Sequence, residues 1–144
     1  MFSQTVEYAL RAMVQLSYVA PQACSTDILA ETTLVPRAYL SKVLQGLRRS
    51  GLITSQRGVG GGVALARSAS EITILQVVNA VEPIRRIPTC PLGLASHGRR
   101  LCPLHRKMDN AMATVEESLG TTTLADIISP LTQGSKPLCD VSNP

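Results

Sequence analysis

Aromatic residues are scarce in this chain: among 144 residues there is no Trp, one Phe and three Tyr. A core made without large rings has to be aliphatic, which suits small packed helices. No apolar run approaches the roughly 20 residues that a membrane-spanning helix needs. The opening residues, MFSQTVEYALRAM, lack the basic start and small-residue cleavage site of a secretory signal. These absences predict a cytoplasmic chain with no membrane partner, in a compartment where structural disulfides are rare. Its four cysteines then point to metal, redox chemistry or plain packing. The sequence also has no Cys-x-x-Cys and no His-Glu-x-x-His, and no Ser, His and Asp gather in one motif. An enzyme is therefore not expected.

Acidic residues are missing from two stretches. Thr32 to Ser70 holds six basic residues (Arg37, Lys42, Arg48, Arg49, Arg57, Arg67) and no acid. Arg85 to Lys107 holds six more (Arg85, Arg86, Arg99, Arg100, Arg106, Lys107), again without an acid. Positive blocks of this kind suit a polyanionic partner or a solvated basic face.

The spacing predicts a first helix over Phe2 to Ala20, with Val6, Leu10, Met13 and Val14 on one stripe and Pro21 as its stop. Glu7 and Arg11 fall one turn apart. Ser25 is placed to cap a short helix from Thr26 to Thr32 with Ile28 and Leu29 facing inward. After a tight turn, Pro36 fits the first position of a third helix running to about Ser50, and Gly51 ends it. Leu40, Val43, Leu44 and Leu47 form its buried face, and Arg37, Ala38, Ser41, Lys42 and Gln45 its opposite, polar one. Such a pair is a helix-turn-helix or an ordinary helical hairpin.

The next stretch favours the former. LITSQRGVGGGVALAR reads as two short strands, Leu52 to Gln56 and Val63 to Ala66, around a tip that carries Arg57, Gly58, Gly60, Gly61 and Gly62. An Arg at such a tip can enter a minor groove or clamp a phosphate. A helix-turn-helix followed at once by a basic hairpin is a winged helix. The tip lacks the Lys-Ser/Thr ending of a nucleotide-phosphate loop, and no helix follows it directly.

Thr73 and Gln76 form a capping box for a helix that carries Ile74, Val77, Val78 and Val81 and ends at Pro83. The segment CPLGLASHGRRLCPLH follows. It holds Cys90 and Cys102 together with both histidines of the chain, His97 and His105. Pro103 opens a long helix to about Leu119, so Cys102 sits at a helix N-terminus, where the dipole favours negative charge. Leu104, Met108, Ala111, Met112, Val115 and Leu119 repeat along that helix as a seam for a second copy of the chain or for the chain's own core. Thr123 and Asp126 start a short last helix, to Ser129. Cys24 and Cys139 fall outside these motifs.

The expected class is mainly α with a small β-hairpin wing. The chain divides into a winged helix-turn-helix over 1–83 (wing 52–66), a sensor loop over 84–102, the dimerisation helix and short final helix over 103–130, and a flexible tail over 131–144.

These motifs together resemble the IscR/NsrR/CymR-type winged helix-turn-helix regulators of bacteria. The matching residues are EYALRAM, AYLSKVLQGLRRSGLI, RGVGGGVALAR, ITILQVVNAVE, Cys90, Cys102-x-x-His105 and TLADII. The likeness extends to about Pro130. It implies a homodimer, joined by crossed long helices, that binds a pseudo-palindromic double-stranded DNA operator. On that footing Ser41 or Gln45 reads base edges, Arg37 and Lys42 hold phosphates beside Ala38, and Arg57 enters the minor groove with Gly58 and Gly60 at the tip. Two recognition helices would stand about 34–36 Å apart, or a multiple of that.

Many members of this family carry an iron–sulfur cluster on three cysteines. The first and third of these positions fall on Cys90 and Cys102, and the middle one is Ser96. Other branches use a histidine at the position of His105, or a first-helix carboxylate from the partner subunit at the position of Glu7. The resemblance thus implies a mixed site of Cys90, Cys102, His97 or His105, and Glu7, holding a [2Fe–2S] cluster that answers to redox state, iron or nitric oxide. The alternative is the same DNA-binding regulator without a cluster, switched by oxidation of the Cys90 and Cys102 thiols or by a small-molecule ligand.

Overall fold

A computed structural model describes residues 2–97 and 100–129, with the backbone alone at position 97. The tail expected beyond Pro130, with Cys139, lies outside the described residues. In chain order the elements are α1 (Gln4–Val19), α2 (Thr26–Thr33), α3 (Arg37–Arg49), β1 (Ile53–Gln56), β2 (Gly62–Leu65), α4 (Ile74–Val81), α5 (Pro103–Gly120) and α6 (Leu124–Ile128). Short 3-10 turns lie at Ala69–Glu71 and Ala95–His97.

Local chemistry fixes the helix ends. The Ser3 hydroxyl accepts from the Val6 N–H and also donates to the Glu82 carboxylate, so α1 begins at Gln4 and Phe2 stays outside it. Ser25 caps α2 in the same way. The turn into α3 places Leu34 in the left-handed region, at φ 55°. Pro36 sits one place earlier than the first helical position. Its carbonyl accepts the first intrahelical bond, from the Leu40 N–H, while its own ψ of 134° remains extended. Both capping boxes form as read, Thr73 with Gln76 and Thr123 with Asp126. The Thr123 N–H, donated to the Asp126 carboxylate, pulls that carboxyl below its ordinary range.

The core is aliphatic. Met13, Leu16, Leu29, Leu40, Leu47, Ile53, Ile72, Val77, Val78 and Leu124 are essentially sealed from water. Each such side chain contributes roughly 1.5–3 kcal/mol on burial. Helix α1 lies at the centre and packs against α2, α3, α4, α6 and β2. The one clear inversion is Ile28, expected inside but 57% exposed. A two-turn helix turns only a narrow stripe inward, and Leu29 with Thr33, one turn on, occupies it.

The wing is an antiparallel hairpin with Ile53 opposite Leu65 and Gln56 opposite Gly62. A third, one-residue strand completes it: Cys24 and Val63 exchange two backbone hydrogen bonds of 2.8 Å. A Cβ on Gly62 would stand 2.1 Å from the Cys24 carbonyl oxygen, and its φ is +142°, so this position accepts only glycine. Cys24 is buried there, and burial pushes its thiol pKa up.

The segment that follows α5 returns to the first half. Thr73 pairs with Thr123, the Ile74 N–H reaches the Thr122 carbonyl, and the Leu124 N–H reaches the Ile72 carbonyl. Among the described residues no helix is long and apolar enough to cross a membrane.

Candidate nucleic-acid interface and thiol–imidazole site

The polar face of α3 stands open to solvent. Arg37, Ala38, Tyr39, Ser41, Lys42, Gln45, Arg48 and Arg49 are all exposed, while Leu40, Val43, Leu44 and Leu47 are buried beneath them. Arg37 is held by Asp27 of α2 at 2.5 Å. Lys42, Gln45 and Arg49 line a recess of about 300 Å³ with Tyr8 and Tyr39. The two tyrosine rings lie 6.1 Å apart, and the Arg11 guanidinium stands 5.7 Å from the Tyr8 ring. Tyr39 and Arg49 were not picked out from the sequence. Arg49 is seven residues from Lys42, which puts it on the same face, so the spacing carried that signal. The wing projects Arg57, Gly58 and Gly60 into solvent from the tip, which closes with the Gly61 N–H donating to the Gly58 carbonyl.

The second site is built where the segment after α4 meets the start of α5. Cys102 is the N-cap of α5 and Pro103 its first residue. This places His105 in the first turn, with its Nδ1 3.0 Å from the Cys102 Sγ and 3.8 Å from the Cys90 Sγ. Cys90 is buried, Cys102 and His105 are half-buried, and one donor atom from each lies within 4.8 Å of the others. Neither cysteine is in a disulfide.

An ion-pair cluster next to this group was also not picked out. Arg86 reaches Asp109 of α5 through two bonds, at 2.8 and 2.6 Å, and Glu116 at 3.3 Å. The Ile87 N–H adds a 2.9 Å bond to Asp109. The Arg86 guanidinium, and then the Ile87 N–H, bring the Asp109 carboxyl down to about 2, while the Arg86 pKa rises. Asp109 is the first acid after the basic block ending at Lys107, which marks it without identifying its partner.

The structure does not bring all the expected ligands together. Glu7 lies on the exposed face of α1, paired with Arg11 at 2.9 Å, and is not part of the group. Arg11 also donates to the carbonyl of Thr33 at the end of α2. The side chain of His97 lies outside the described residues, and Ser96 is exposed. The donor set present is therefore two thiols and one imidazole. Soft donors of this kind suit an iron–sulfur group, zinc or copper(I) over hard cations. Donors around one tetrahedral metal stand about 3.5–3.8 Å apart; the Cys90–His105 spacing of 3.8 Å matches, and the Cys102–His105 spacing of 3.0 Å is shorter. The set fits such a group with three ligands from one chain.

The seam on α5 is not buried by this chain. No residue of α5 is fully buried; Leu104 and Met108 are 64% and 46% exposed, and Ala111 is exposed too. Met108, Ala111, Met112 and Val115 line an apolar cleft of about 460 Å³ against Phe2, Val6 and Val78. Leu119 differs in that it packs on the chain's own core.

Residues 2–130 match the Rrf2 family, described as iron-dependent transcriptional regulators. This chain belongs to the Rrf2 family. Two curated relatives share the name "Putative HTH-type transcriptional regulator". The one from Mycobacterium tuberculosis (strain H37Rv) is 35% identical over 127 residues, spanning 87% of this chain and 79% of that protein. The one from Neisseria meningitidis serogroup B is 32% identical over 128 residues, spanning 88% and 86%. Among solved structures, CymR, the global cysteine regulator of B. subtilis, superposes with a TM-score of 0.71 at 25% identity, covering 88% of this chain and 95% of that one. The IscR of T. potens shares the fold at a TM-score of 0.75 and 22% identity, covering 94% and 93%. This Rrf2 protein is thus a winged helix-turn-helix transcriptional regulator and not an enzyme.

Proposed function

We propose that this Rrf2 regulator is a homodimer that binds a pseudo-palindromic double-stranded DNA operator and adjusts its hold through a [2Fe–2S] cluster kept by Cys90, Cys102 and His105. Glu7 of the partner subunit supplies a further oxygen ligand. On this reading the division of labour follows the chain: 1–83 binds DNA, 84–102 senses, and 103–130 joins two copies. In the operator, Arg37 and Lys42 hold phosphates, Ser41 or Gln45 reads base edges, and Arg57 enters the minor groove. The observation that carries the sensing part is the convergence of two reduced thiols and one imidazole within 4.8 Å. Such a cluster, when bound, supplies a centre that is sensitive to oxidants, iron supply and nitric oxide, and histidine ligation raises its potential.

The chain's own residues supply the coupling. Cys102 and His105 belong to α5, whereas Cys90 belongs to the segment that descends from α4. Holding all three at one point fixes the DNA-binding half against the dimerisation helix. A bias of roughly 1–3 kcal/mol between held and released forms is enough for a switch.

The deciding experiment is an iron and acid-labile sulfide assay, with a visible spectrum, on protein purified without oxygen. About two irons and two sulfides per chain are expected, with the colour lost in Cys102→Ala. Colourless, iron-free protein that stays so after reconstitution would remove the cluster and leave the DNA-binding reading standing. One observation favours a second reading. The same two thiols have their sulfurs within 4.8 Å of each other; joining them as a disulfide would pass two electrons and both thiol protons to a peroxide-type oxidant, whose O–O bond breaks to leave an alcohol or water and a water. The S. aureus CymR, 26% identical with a TM-score of 0.68 over 88% of this chain and 94% of that one, was solved in an oxidized form.

A further inference from the structure

Residues 84–90 run antiparallel to the start of α5. Arg86 and Ile87 meet the helix at Asp109, and three residues later Cys90 meets it at His105, one turn nearer the N-terminus. Glu116, two turns beyond Asp109, holds the other side of the Arg86 guanidinium. His105, Asp109 and Glu116 therefore form one stripe of α5 (i, i+4, i+11) along which this strap lies. The apolar seam of Leu104, Met108, Ala111 and Val115 runs beside that stripe and stays open.

A strap held only by its ends would not present Cys90 at a defined place. At one end of the link from Ile84 to Cys90, Ile84 packs against the core and donates its N–H to Asn79; at the other, the Cys90 carbonyl accepts from the Gly93 N–H; between them, the ties to α5 include those of Arg86 and Ile87 to Asp109 and of Arg86 to Glu116. The Arg86 fork on Asp109 is a bidentate, charge-assisted pair, which fixes direction as well as distance. The Ile87 N–H on the same carboxylate fixes the backbone three residues before the thiol.

We propose that Asp109, through Arg86 and the Ile87 N–H, is a positioning residue that holds Cys90 against Cys102 and His105 before any metal or oxidant arrives. Neither Arg86 nor Asp109 donates to the site. Together they set the effective concentration of Cys90 at the other two donors. A flexible tether alone gives an effective concentration of about millimolar, so whatever exceeds that comes from the strap. The inference rests on the thiol–imidazole site proposed above, and its test separates the two.

The test uses full-length protein in which Cys24 and Cys139 are both replaced by Ser, comparing the parent with Asp109→Asn and Arg86→Gln. The first arm needs no metal. The Cys90–Cys102 disulfide is brought to equilibrium in glutathione buffers under nitrogen and read by mass spectrometry after alkylation. Its formation transfers two electrons to oxidised glutathione, which leaves as two reduced molecules. Both variants are expected to lower the equilibrium constant about tenfold or more toward the flexible-tether value, with unchanged circular dichroism. An equilibrium constant within twofold of the parent in both variants would overturn the proposal. The second arm titrates Co²⁺ into the reduced proteins and follows the thiolate-to-cobalt absorption. Bands in the parent that vanish in Cys102→Ala support the metal-site reading, and their absence from the parent overturns that reading while the glutathione arm still decides the role of Asp109. Where the bands form, Asp109→Asn is expected to weaken Co²⁺ binding about tenfold.

Discussion

Two regions of this Rrf2 protein are held together by different means. The DNA-binding half, from α1 to α4, is closed by an aliphatic core in which Leu29, Leu40, Leu47 and Val77 lose all contact with water. The strap and the long helix α5 add only partly buried side chains to the edge of that core, Ile84 from one and Leu119 from the other. The ties between them include a carboxylate–guanidinium fork, the Ile87 N–H on the same carboxylate and the Cys90–His105 contact, and the apolar seam of α5 stays open. Burial of carbon is insensitive to redox state or metal supply, so a half built that way keeps its shape whatever the signal. Thiols, imidazole and an open seam are groups on which an oxidant, a metal or a second chain could act. On the proposed reading, the part that reads DNA is the one closed by carbon, and the part whose contacts can change is the one that would join two readers.

The widest gap between the regions should open with Met112→Asp, which places a charge in the α5 cleft. The protein is expected to run as a monomer in light scattering and to lose operator affinity about 100-fold or more, since each half-site then binds alone. Its helix content should barely change. A stable dimer with normal affinity would mean that α5 is not the seam. Next comes Leu47→Ala, expected to cost about 2–5 kcal/mol in chemical denaturation. Leu92→Ala, in the exposed segment after Cys90, should cost less than about 0.5 kcal/mol. Equal costs would erase the contrast between the two regions. Arg57→Ala on the wing follows, with about 1–3 kcal/mol of operator affinity lost and no change in dimerisation; an unchanged gel-shift titration would take Arg57 out of the interface.

The smallest effect is one of pH. The Asp109 carboxyl is held at about 2 against an ordinary 3.8, chiefly by the Arg86 side chain. A depressed folded-state value stabilises fully above the ordinary one and loses that stabilisation as pH falls through the depressed one. Amide protection at Ile87 should therefore decline between about pH 4 and pH 2, ahead of any change at Val77. Parallel loss at both amides would show that strap and core open as one unit.

The sequence carried most of the rigid half because its signals are local. The i, i+3, i+4 apolar spacing, the Thr73 and Thr123 capping boxes and the glycine-rich tip each lie within a few residues of what they specify. Cys90, Cys102 and the pair His97 and His105 were legible from chemistry alone, since few residue types make soft ligands; that His105 meets the two thiols is seen only in the fold. Ile28 was misread because two apolar neighbours on a two-turn helix cannot both point inward, and only tertiary packing decides between them. The one-residue strand at Cys24 was missed because a single backbone pair leaves no period. The Arg86–Asp109 fork spans 23 residues, and nothing in the composition near either end specifies such a distance. Glu7 with Arg11 was legible as an i, i+4 pair; what lies across from it in a dimer is not written in one chain.

Helix α6 gives the long helix a fixed far end. Its Leu124 is sealed in the core, and backbone bonds join Ile72 to Leu124 and Ile74 to Thr122. The N-terminal end of α5 has the thiols and the strap instead. An 18-residue helix is about 27 Å long at 1.5 Å per residue, so α5 is a lever with its pivot at α6 and its handle at Cys102. A rotation of about 4° at the pivot moves the handle by about 2 Å over that length, roughly the scale on which a thiol–imidazole contact forms or breaks. Because the pivot packs on α1 of the DNA-binding half, the same rotation would re-aim that half relative to a second copy docked on α5, the arrangement proposed above.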